Sequence, residues 1–469
     1  MRLPIIFLPC VLWFVQAEAA SKPNILFLAV DDLNDWVGCL GGHPQAKTPN
    51  IDRLAAQGVL FEQAYGPAPL CSPSRTAIMT GLRPSTTGIY GNLNWFRDLP
   101  EYADCQTIPQ YFRKHGYYAL TGGKIYHQAQ GKFSDPTAWD LQYSTQMGTP
   151  FPPADQRYRH GMREKFSNRI LGRLIDWGAI PQPKEQTNDW KTAHRAAQFL
   201  SQPHDRPFFL ACGIYHPHLP WYAPEEFFQM FPLESIQLPD THDADLDDIP
   251  PGGRRMASEA LGIIQKSGYW KQAVQGRLAS GAFADACIGH VLEALDNSRH
   301  RDNTIVVLWG DHGYDLGEKK FAKSALWQQT SRTPLIVRVP GGVAERCLHP
   351  VSLVDLYPTL IELCGLPPRE NLDGRSLAPL IRNPSRAWPY PALITHSPHW
   401  HGPCHAVRSD RYHYIRYRDG GEELYDMQKD PHQWTNLASR AELADVKAEH
   451  RKWLPQKNAP HYRSKRPSL

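Results

Sequence analysis

Three short stretches bring together residue types suited to chemistry. In Pro69-Leu70-Cys71-Ser72-Pro73-Ser74-Arg75-Thr76 the pattern Cys71-x-Pro73-x-Arg75 puts a thiol at a turn, and Ser74 to Thr80 then reads as the first turns of a helix that Gly81 stops. A cysteine placed there meets free backbone amides and the positive end of the helix dipole, both of which favour an anion. The pair Asp31-Asp32 follows the apolar run Asn24 to Val30, and Asp311-His312-Gly313 follows Thr304 to Gly310. Adjacent carboxylates repel each other unless a cation lies between them, so the two acidic stretches read as ligands for a hard metal ion. Taken singly, each stretch also has a bland reading, as a buried cysteine beside a proline turn or as a solvated acidic turn.

The elements around these residues are those of an α/β protein. Asn24 to Val30, Tyr117 to Thr121, Pro207 to Gly213 and Thr304 to Gly310 are short, largely apolar runs, as expected of strands buried on both faces of a parallel sheet. Such sheets place ligands at the carboxyl ends of their strands, where the acidic pairs fall. Helices are expected from Thr48 to Gly58 and from Thr107 to Gly116, each with Thr before a proline-bearing first turn and Gly after the last. In a long core helix from Ala273 to Asn297, Val274, Leu278, Ala282, Ala286, Val291 and Leu295 recur at helical spacing. Pro334 to Val339 reads as a further strand and Val354 to Cys364 as a helix stopped by Gly365. Phe133 to Lys191 and Asp240 to Gly253 read as irregular surface excursions. Near the C-terminus Ala392 to Thr395, Ala406 to Arg408, Tyr412 to Arg418 and Glu422 to Asp426 read as short antiparallel strands.

With 469 residues and 41% hydrophobic content the chain supports a large domain plus a smaller one, and its 42 prolines imply many ordered loops. Residues 1–19 form an expected signal peptide, with Met1-Arg2, the apolar run Ile5 to Val15 and a cleavage site at Ala17-Glu18-Ala19. The protein is therefore expected outside the cytoplasm. That apolar run is too short to span a bilayer, and stable membrane insertion is not expected. Removing the signal takes away Arg2 and Glu18 and leaves the net charge at +4, too weak to argue for nucleic acid. Beyond Cys10 and Cys71 the cysteines are Cys39, Cys105, Cys212, Cys287, Cys347, Cys364 and Cys404, an odd and scattered set. It fits neither a zinc site nor a disulfide framework, with room for one or two bridges.

The run from Cys71-Ser72-Pro73-Ser74-Arg75 to Thr80-Gly81-Leu82-Arg83-Pro84 resembles the signature of the formylglycine-dependent sulfatases, and most of the chain resembles their iduronate-2-sulfatase branch. Gly123-Lys124-Ile125-Tyr126-His127 is similar to the family's G-K-x-x-H, whose lysine and histidine reach the sulfate. His216-Pro217-His218-Leu219-Pro220 resembles an H-x-P-H-x-P segment, and by that match His216 is the better active-site candidate. Where the family has L-G-E-H-G-x-W-x-K, this chain has Leu316-Gly317-Glu318-Lys319-Lys320-Phe321-Ala322-Lys323. Lys323 is the match to the active-site lysine, with Lys319 and Lys320 as alternatives. Leu372-Asp373-Gly374-Arg375 and Glu423-Leu424-Tyr425-Asp426 resemble the family's crossover and ending.

The resemblance implies an alkaline-phosphatase-like sandwich: a large mixed, mostly parallel sheet between helices in a catalytic domain of residues 20–385, and a small antiparallel sheet in residues 386–469. It implies that a maturation enzyme oxidises Cys71 to formylglycine (3-oxoalanine), whose hydrate attacks sulfur with one hydroxyl and expels sulfate by deprotonation of the other. Asp31, Asp32, Asp311 and His312, with the oxidised residue 71, would bind one Ca²⁺, with Mg²⁺ as runner-up. Arg75 would steady the hydrate, Lys124 and Lys323 would clamp sulfate oxygens, and His127 or His216 would serve as general acid. The expected substrate is a sulfated saccharide, such as a 2-O-sulfated uronic acid. Similar clamps serve phosphoryl transfer, so a phosphomonoester or phosphodiester hydrolase is the nearest alternative, and a non-catalytic glycan-binding relative is the other. Iduronate-2-sulfatases follow the paired aspartates with Leu-Arg, whereas this chain has Leu33-Asn34, which removes a basic group expected to meet a uronate. Tyr314 and Trp221 are expected at the pocket rim, where rings with polar tips suit sugar faces.

Overall fold

The computed structural model describes residues 22–148, 160, 165, 174–257, 260–317, 319, 321–398 and 402–462; the expected signal peptide and Lys320 lie outside them. The large sheet has eight strands: β1 (Asn24–Val30), β2 (Val59–Tyr65), β3 (Tyr118–Gly123), β4 (Leu141–Ser144), β5 (Phe208–Ile214), β6 (Thr304–Gly310), β7 (Arg332–Arg338) and β8 (Arg346–Ser352). Their spatial order is β8-β2-β7-β6-β1-β5-β3-β4. β7 runs antiparallel to both its neighbours and every other pairing is parallel. Four further strands, Ala392–His396, Cys404–Arg408, Tyr412–Arg416 and Glu422–Asp426, form the small antiparallel sheet in chain order, as expected.

Alternation along β1 shows why its run is apolar throughout. Leu26, Leu28 and Val30 join one core with α1 (Pro49–Ala55), α4 (Asn188–Leu200) and α5 (Trp270–Asp296). Ile25, Phe27 and Ala29 join the other with α2 (Cys71–Thr80), α3 (Ile108–Lys114) and α6 (Leu356–Leu363). A central strand between two helical layers has no solvent face to write in polar residues. α5 is long and apolar enough to cross a membrane, but 78% of its most apolar window is buried inside the protein, so it is the core helix its periodicity predicts.

Several elements differ from expectation for identifiable reasons. α2 starts at Cys71 and not at Ser74, because Pro73 lies within the first turn, where an amide proton has no intrahelical partner to lose. Ser74 N–H donates to Leu70 C=O at 3.0 Å to begin the ladder, and Gly81 ends it in the left-handed region at φ 74°. β2 and β8 are absent from the sequence expectation. Glu62 and Gln63 interrupt the apolar run of β2, and β8 is an edge strand whose register shift between Cys347 and Pro350 absorbs a proline. The excursion from 133 to 191 is also more ordered than expected, for it contains β4 at the other edge and the start of α4. No bridge forms among the described cysteines; all eight are free thiols.

Glycines let two strand ends converge where the site begins. Gly123, at φ 69°, would place a Cβ 1.9 Å from Gly213 O, and a Cβ on Gly213 would lie 2.3 Å from Lys124 O. Gly123→Ala combines a left-handed residue with a backbone clash. It should lower stability by about 3 kcal/mol in urea denaturation and displace Lys124, so that activity falls further than the unfolded fraction accounts for.

Candidate active site

Four adjacent parallel strands, β6, β1, β5 and β3, end within one residue of a common level: Val30 pairs with Gly310 and with Ile214, and Gly123 with Gly213, one residue earlier. The next residue on each is Asp311, Asp31, Tyr215 and Lys124, so the sheet alone assembles an acid, an acid, an aromatic and a cation. α2 brings Cys71 and Arg75 over these ends. Asp31, Asp32, Cys71, Arg75, Asp311 and His312 are all 0% exposed.

Arg75 links three strands. Its Nε donates to Asp311 Oδ2 at 2.8 Å, one terminal nitrogen to Asp31 Oδ1 at 2.9 Å, and the other to the carbonyls of Lys124 and Ile125 at 2.6 and 2.9 Å. Lys124 Nζ donates to the second oxygen of Asp31. Burial raises the Asp31 carboxyl, but Lys124 and Arg75 more than reverse this and hold it well below the usual carboxylate range. Asp32 takes a left-handed backbone, φ 57°, which lets its amide donate to Asp311 Oδ1 at 3.0 Å. A non-glycine residue there is held by its surroundings, as is common at functional sites.

Around the thiol the groups are suited to an anion. Lys323 Nζ lies 3.5 Å from Cys71 Sγ and donates to both oxygens of Asp32 at 2.9 and 3.0 Å. His312 donates from Nδ1 to Gly313 C=O at 2.8 Å, which turns Nε2 to the site, 3.2 Å from Cys71 Sγ and 3.3 Å from Asp32 Oδ1. Burial opposes ionisation of Cys71, yet Lys124 and Lys323 bring its thiol well below the ordinary range. Burial likewise lowers His312, but Asp311 and Cys71 push it up to about 9.

The donor set fits a hard divalent cation. Asp31, Asp32, Cys71 and His218 place ligand atoms within 4.8 Å of one another, as do Cys71, Asp311 and His312. The three buried carboxylates supply the oxygen ligands that calcium or magnesium takes, with His218 and His312 beside them. The two clusters share Cys71 Sγ.

The structure brings together every expected site residue except His216. Its Nδ1 faces Asp189 Oδ2 at 2.6 Å and its Nε2 faces Tyr222 C=O at 3.0 Å, so both nitrogens are engaged away from the thiol. Asp189 also accepts from the amides of Tyr215 and His216, and thereby anchors the loop after β5. The histidine that enters the site is His218, with Nε2 3.9 Å from Asp32 Oδ2. The repeated His in the motif was the signal for it, and Asp189 gave none. His127 Nδ1 is buried without a partner among the described residues, and burial together with Lys124 pushes this histidine down to about 3.

Two other expectations are corrected. Tyr314 and Trp221 are not at a rim: they are 2% and 0% exposed and pack against each other. Lys319 cannot serve as a clamp, because its ammonium is buried on Asp245 Oδ1 at 2.6 Å and Gln433 C=O at 2.5 Å, between the rings of Trp327 and Tyr425. It ties the segment before Lys323 to the C-terminal part of the chain. Lys319→Met removes the ammonium that pairs with the buried Asp245 carboxylate and should cost about 3 kcal/mol in a urea titration. The variant should show no selective loss of anionic substrates, which a substrate-binding lysine would produce.

The chain matches the family described as Sulfatase over residues 23–366, and that described as N-sulphoglucosamine sulphohydrolase, C-terminal, over residues 310–459. It is 39% identical over 460 residues to a sulfatase of Formosa agariphila, covering 95% of this chain and 88% of that one. With the iduronate 2-sulfatase of Mus musculus it shares 33% over 398 residues, 75% of this chain and 70% of the relative. A solved 2-O GAG sulfatase superposes with a TM-score of 0.71 at 23% identity, over 92% of this chain and 91% of that one. The fold is thus the alkaline-phosphatase-like α/β sandwich.

Proposed function

The chain belongs to the sulfatase family, and on that premise we propose that it hydrolyses the sulfate ester of a sulfated saccharide through formylglycine formed at Cys71. The observation that carries this reading is the convergence of Lys323, His312 and Asp32 on the Cys71 sulfur, with Arg75 and Lys124 behind them. A thiol that served packing would not be surrounded by charge.

Oxidation of Cys71 would require an external maturation enzyme, and the resulting aldehyde hydrate would supply the nucleophilic hydroxyl. Asp31, Asp32, Asp311 and His312 would hold Ca²⁺, or Mg²⁺ as second choice, which would polarise the sulfate and acidify that hydroxyl. The chain's own cations divide the remaining work. Arg75, fixed on two carboxylates and two carbonyls, orients the floor of the site. Lys124 and Lys323 meet the sulfate oxygens, and Lys323, with 19% of its side chain exposed, is the more accessible of the two. The bond that breaks joins sulfur to the bridging oxygen, which needs a proton as it leaves. His127 is held neutral and suits a hydrogen bond to a sulfate oxygen. His218, with 12% of its side chain exposed and Nε2 3.9 Å from Asp32 Oδ2, is left to deliver the proton.

For the substrate, a 2-O-sulfated uronic acid is supported by the names of the relatives, and Asn34 argues against iduronate itself. Asn34 is 0% exposed and donates to Tyr314 C=O at 2.9 Å, so it presents nothing to a uronate. Action outside the cytoplasm follows the expected signal peptide and is part of the same proposal.

Protein co-produced with a formylglycine-generating enzyme should show loss of the thiol and gain of an aldehyde at residue 71 in the mass spectrum of its tryptic peptide. It should favour an aryl sulfate over the matched aryl phosphate by a wide margin in kcat/KM, since a phosphate monoester carries nearly twice the charge. Comparable values on the two esters would support the phosphatase reading instead.

The proton donor can be identified by leaving group. His218→Ala should lower kcat by about 100-fold or more on a saccharide sulfate, whose alkoxide needs the proton, and far less on a nitrophenyl sulfate. His127→Ala should affect both esters alike.

A further inference from the structure

A cation enters the site region from the core helix, without any counterpart in the sequence motifs. Arg277 lies on α5 between Val274 and Leu278 and is 2% exposed. One terminal nitrogen donates to Asp32 C=O at 2.6 Å and to Asn34 Oδ1 at 2.8 Å, and the other donates to Pro217 C=O at 2.8 Å. The guanidinium lies 5.7 Å from the ring centre of Tyr314, the residue whose carbonyl Asn34 also holds. A single rigid plane therefore bonds the residue in the left-handed backbone conformation and the residue just before His218.

We propose that Arg277 is a positioning residue that fixes the backbone of Asp32 and, through Pro217, the distance between Asp32 and His218. Three features argue for it. Among the described site residues Asp32 is the non-glycine residue with a positive φ, and its carbonyl is the acceptor at 2.6 Å. The planar fork sets two carbonyls from different segments at a fixed separation, which the point charge of a lysine does not. Asn34 is short enough to share that fork from the segment following Asp32, which gives the Asn34 position a purpose other than substrate contact. The proposal rests on the sulfatase reading for what Asp32 and His218 do, but not for the geometry that Arg277 imposes.

The test compares wild type with Arg277→Met, Arg277→Lys, His218→Ala and the His218→Ala/Arg277→Lys double variant. Arg277→Met should weaken Ca²⁺ binding in calorimetry and lower kcat on an aryl sulfate, each by about 10–100-fold, with KM nearly unchanged. Arg277→Lys should recover part of kcat. Its effect should shrink in the His218→Ala background, because the group it misplaces is gone. Hydrogen–deuterium exchange should quicken in peptides spanning residues 31–36 and 214–219 in both Arg277 variants, with the rest of the sheet unchanged. If Arg277→Met fails to fold, Arg277→Lys carries every measurement. Wild-type exchange in those two peptides, or a kcat loss fully additive with that of His218→Ala, overturns the proposal. Local exchange that responds in a protein whose wild type releases no sulfate and binds no Ca²⁺ would leave the role of Arg277 standing and refute the sulfatase reading alone.

Discussion

Everything in this protein depends on keeping charge in a place from which water is excluded. Asp31, Asp32 and Asp311 are fully buried, as is Arg75, and Lys124 is nearly so. An isolated ion of this kind would cost several kcal/mol, and the cluster persists because each member has partners at hydrogen-bonding distance. Arg75 is the centre of this arrangement, since one guanidinium satisfies carboxylates from two strands and the carbonyls after a third. The sheet order follows as a geometric requirement. Parallel strands of one sheet that end within a residue of one another present their next residues within the span of one arginine, and Arg75 reaches those after β6, β1 and β3.

That constraint also explains which parts of the molecule were legible in the sequence. The acidic pairs announce themselves because the chemistry lies in adjacent residues at the ends of apolar runs; Cys71 and Arg75 stand out by their spacing around Pro73 at a helix start, and Lys124 only through its likeness to the G-K-x-x-H segment. The strands carrying them are buried on both faces, and the pattern is correspondingly plain. β2 and β8 were not legible, since an edge position and a half-buried polar pair replace the apolar run by a mixed one. His216 and His218 could not be told apart by pattern: they differ in which ring meets Asp189, a residue distant in the chain and on a different element. Lys319 looked like a free cation four residues before Lys323, and only its burial against Asp245 and Gln433 shows otherwise. Such distinctions rest on tertiary contacts between segments 27 to 114 residues apart, which local spacing does not encode.

Arg277 is the sharpest case of the same limit. A lone basic residue in the apolar stripe of a core helix is ordinarily a snorkelling side chain or an error of periodicity. Here the helix is buried nearly all round, so the guanidinium cannot reach water and has to find acceptors inside. The acceptors it finds are carbonyls that the loops after β1 and β5 leave open on leaving the sheet. Loop backbone that must turn away from a sheet always exposes such groups, and burying them requires a donor from elsewhere.

The division between buried and accessible groups then separates what the site does from what it acts on. Arg75, Asp31, Asp32, Asp311 and His312 form a fully buried floor, placed to hold the reacting group and the nucleophile and not what lies beyond them. Lys323 and His218 stand above it with 19% and 12% of their side chains exposed, on loops rather than on strands. Recognition of whatever carries the reacting group has to come from groups at that level, because Tyr314 and Trp221, the rings whose types suggested substrate contact, are packed in the interior, as is Asn34. A floor of interlocked charges tolerates almost no change, whereas loop residues above it can vary without exposing a buried ion. The same fold can therefore keep one chemistry while its substrate changes, and the residues that fix the substrate are those least visible as motifs.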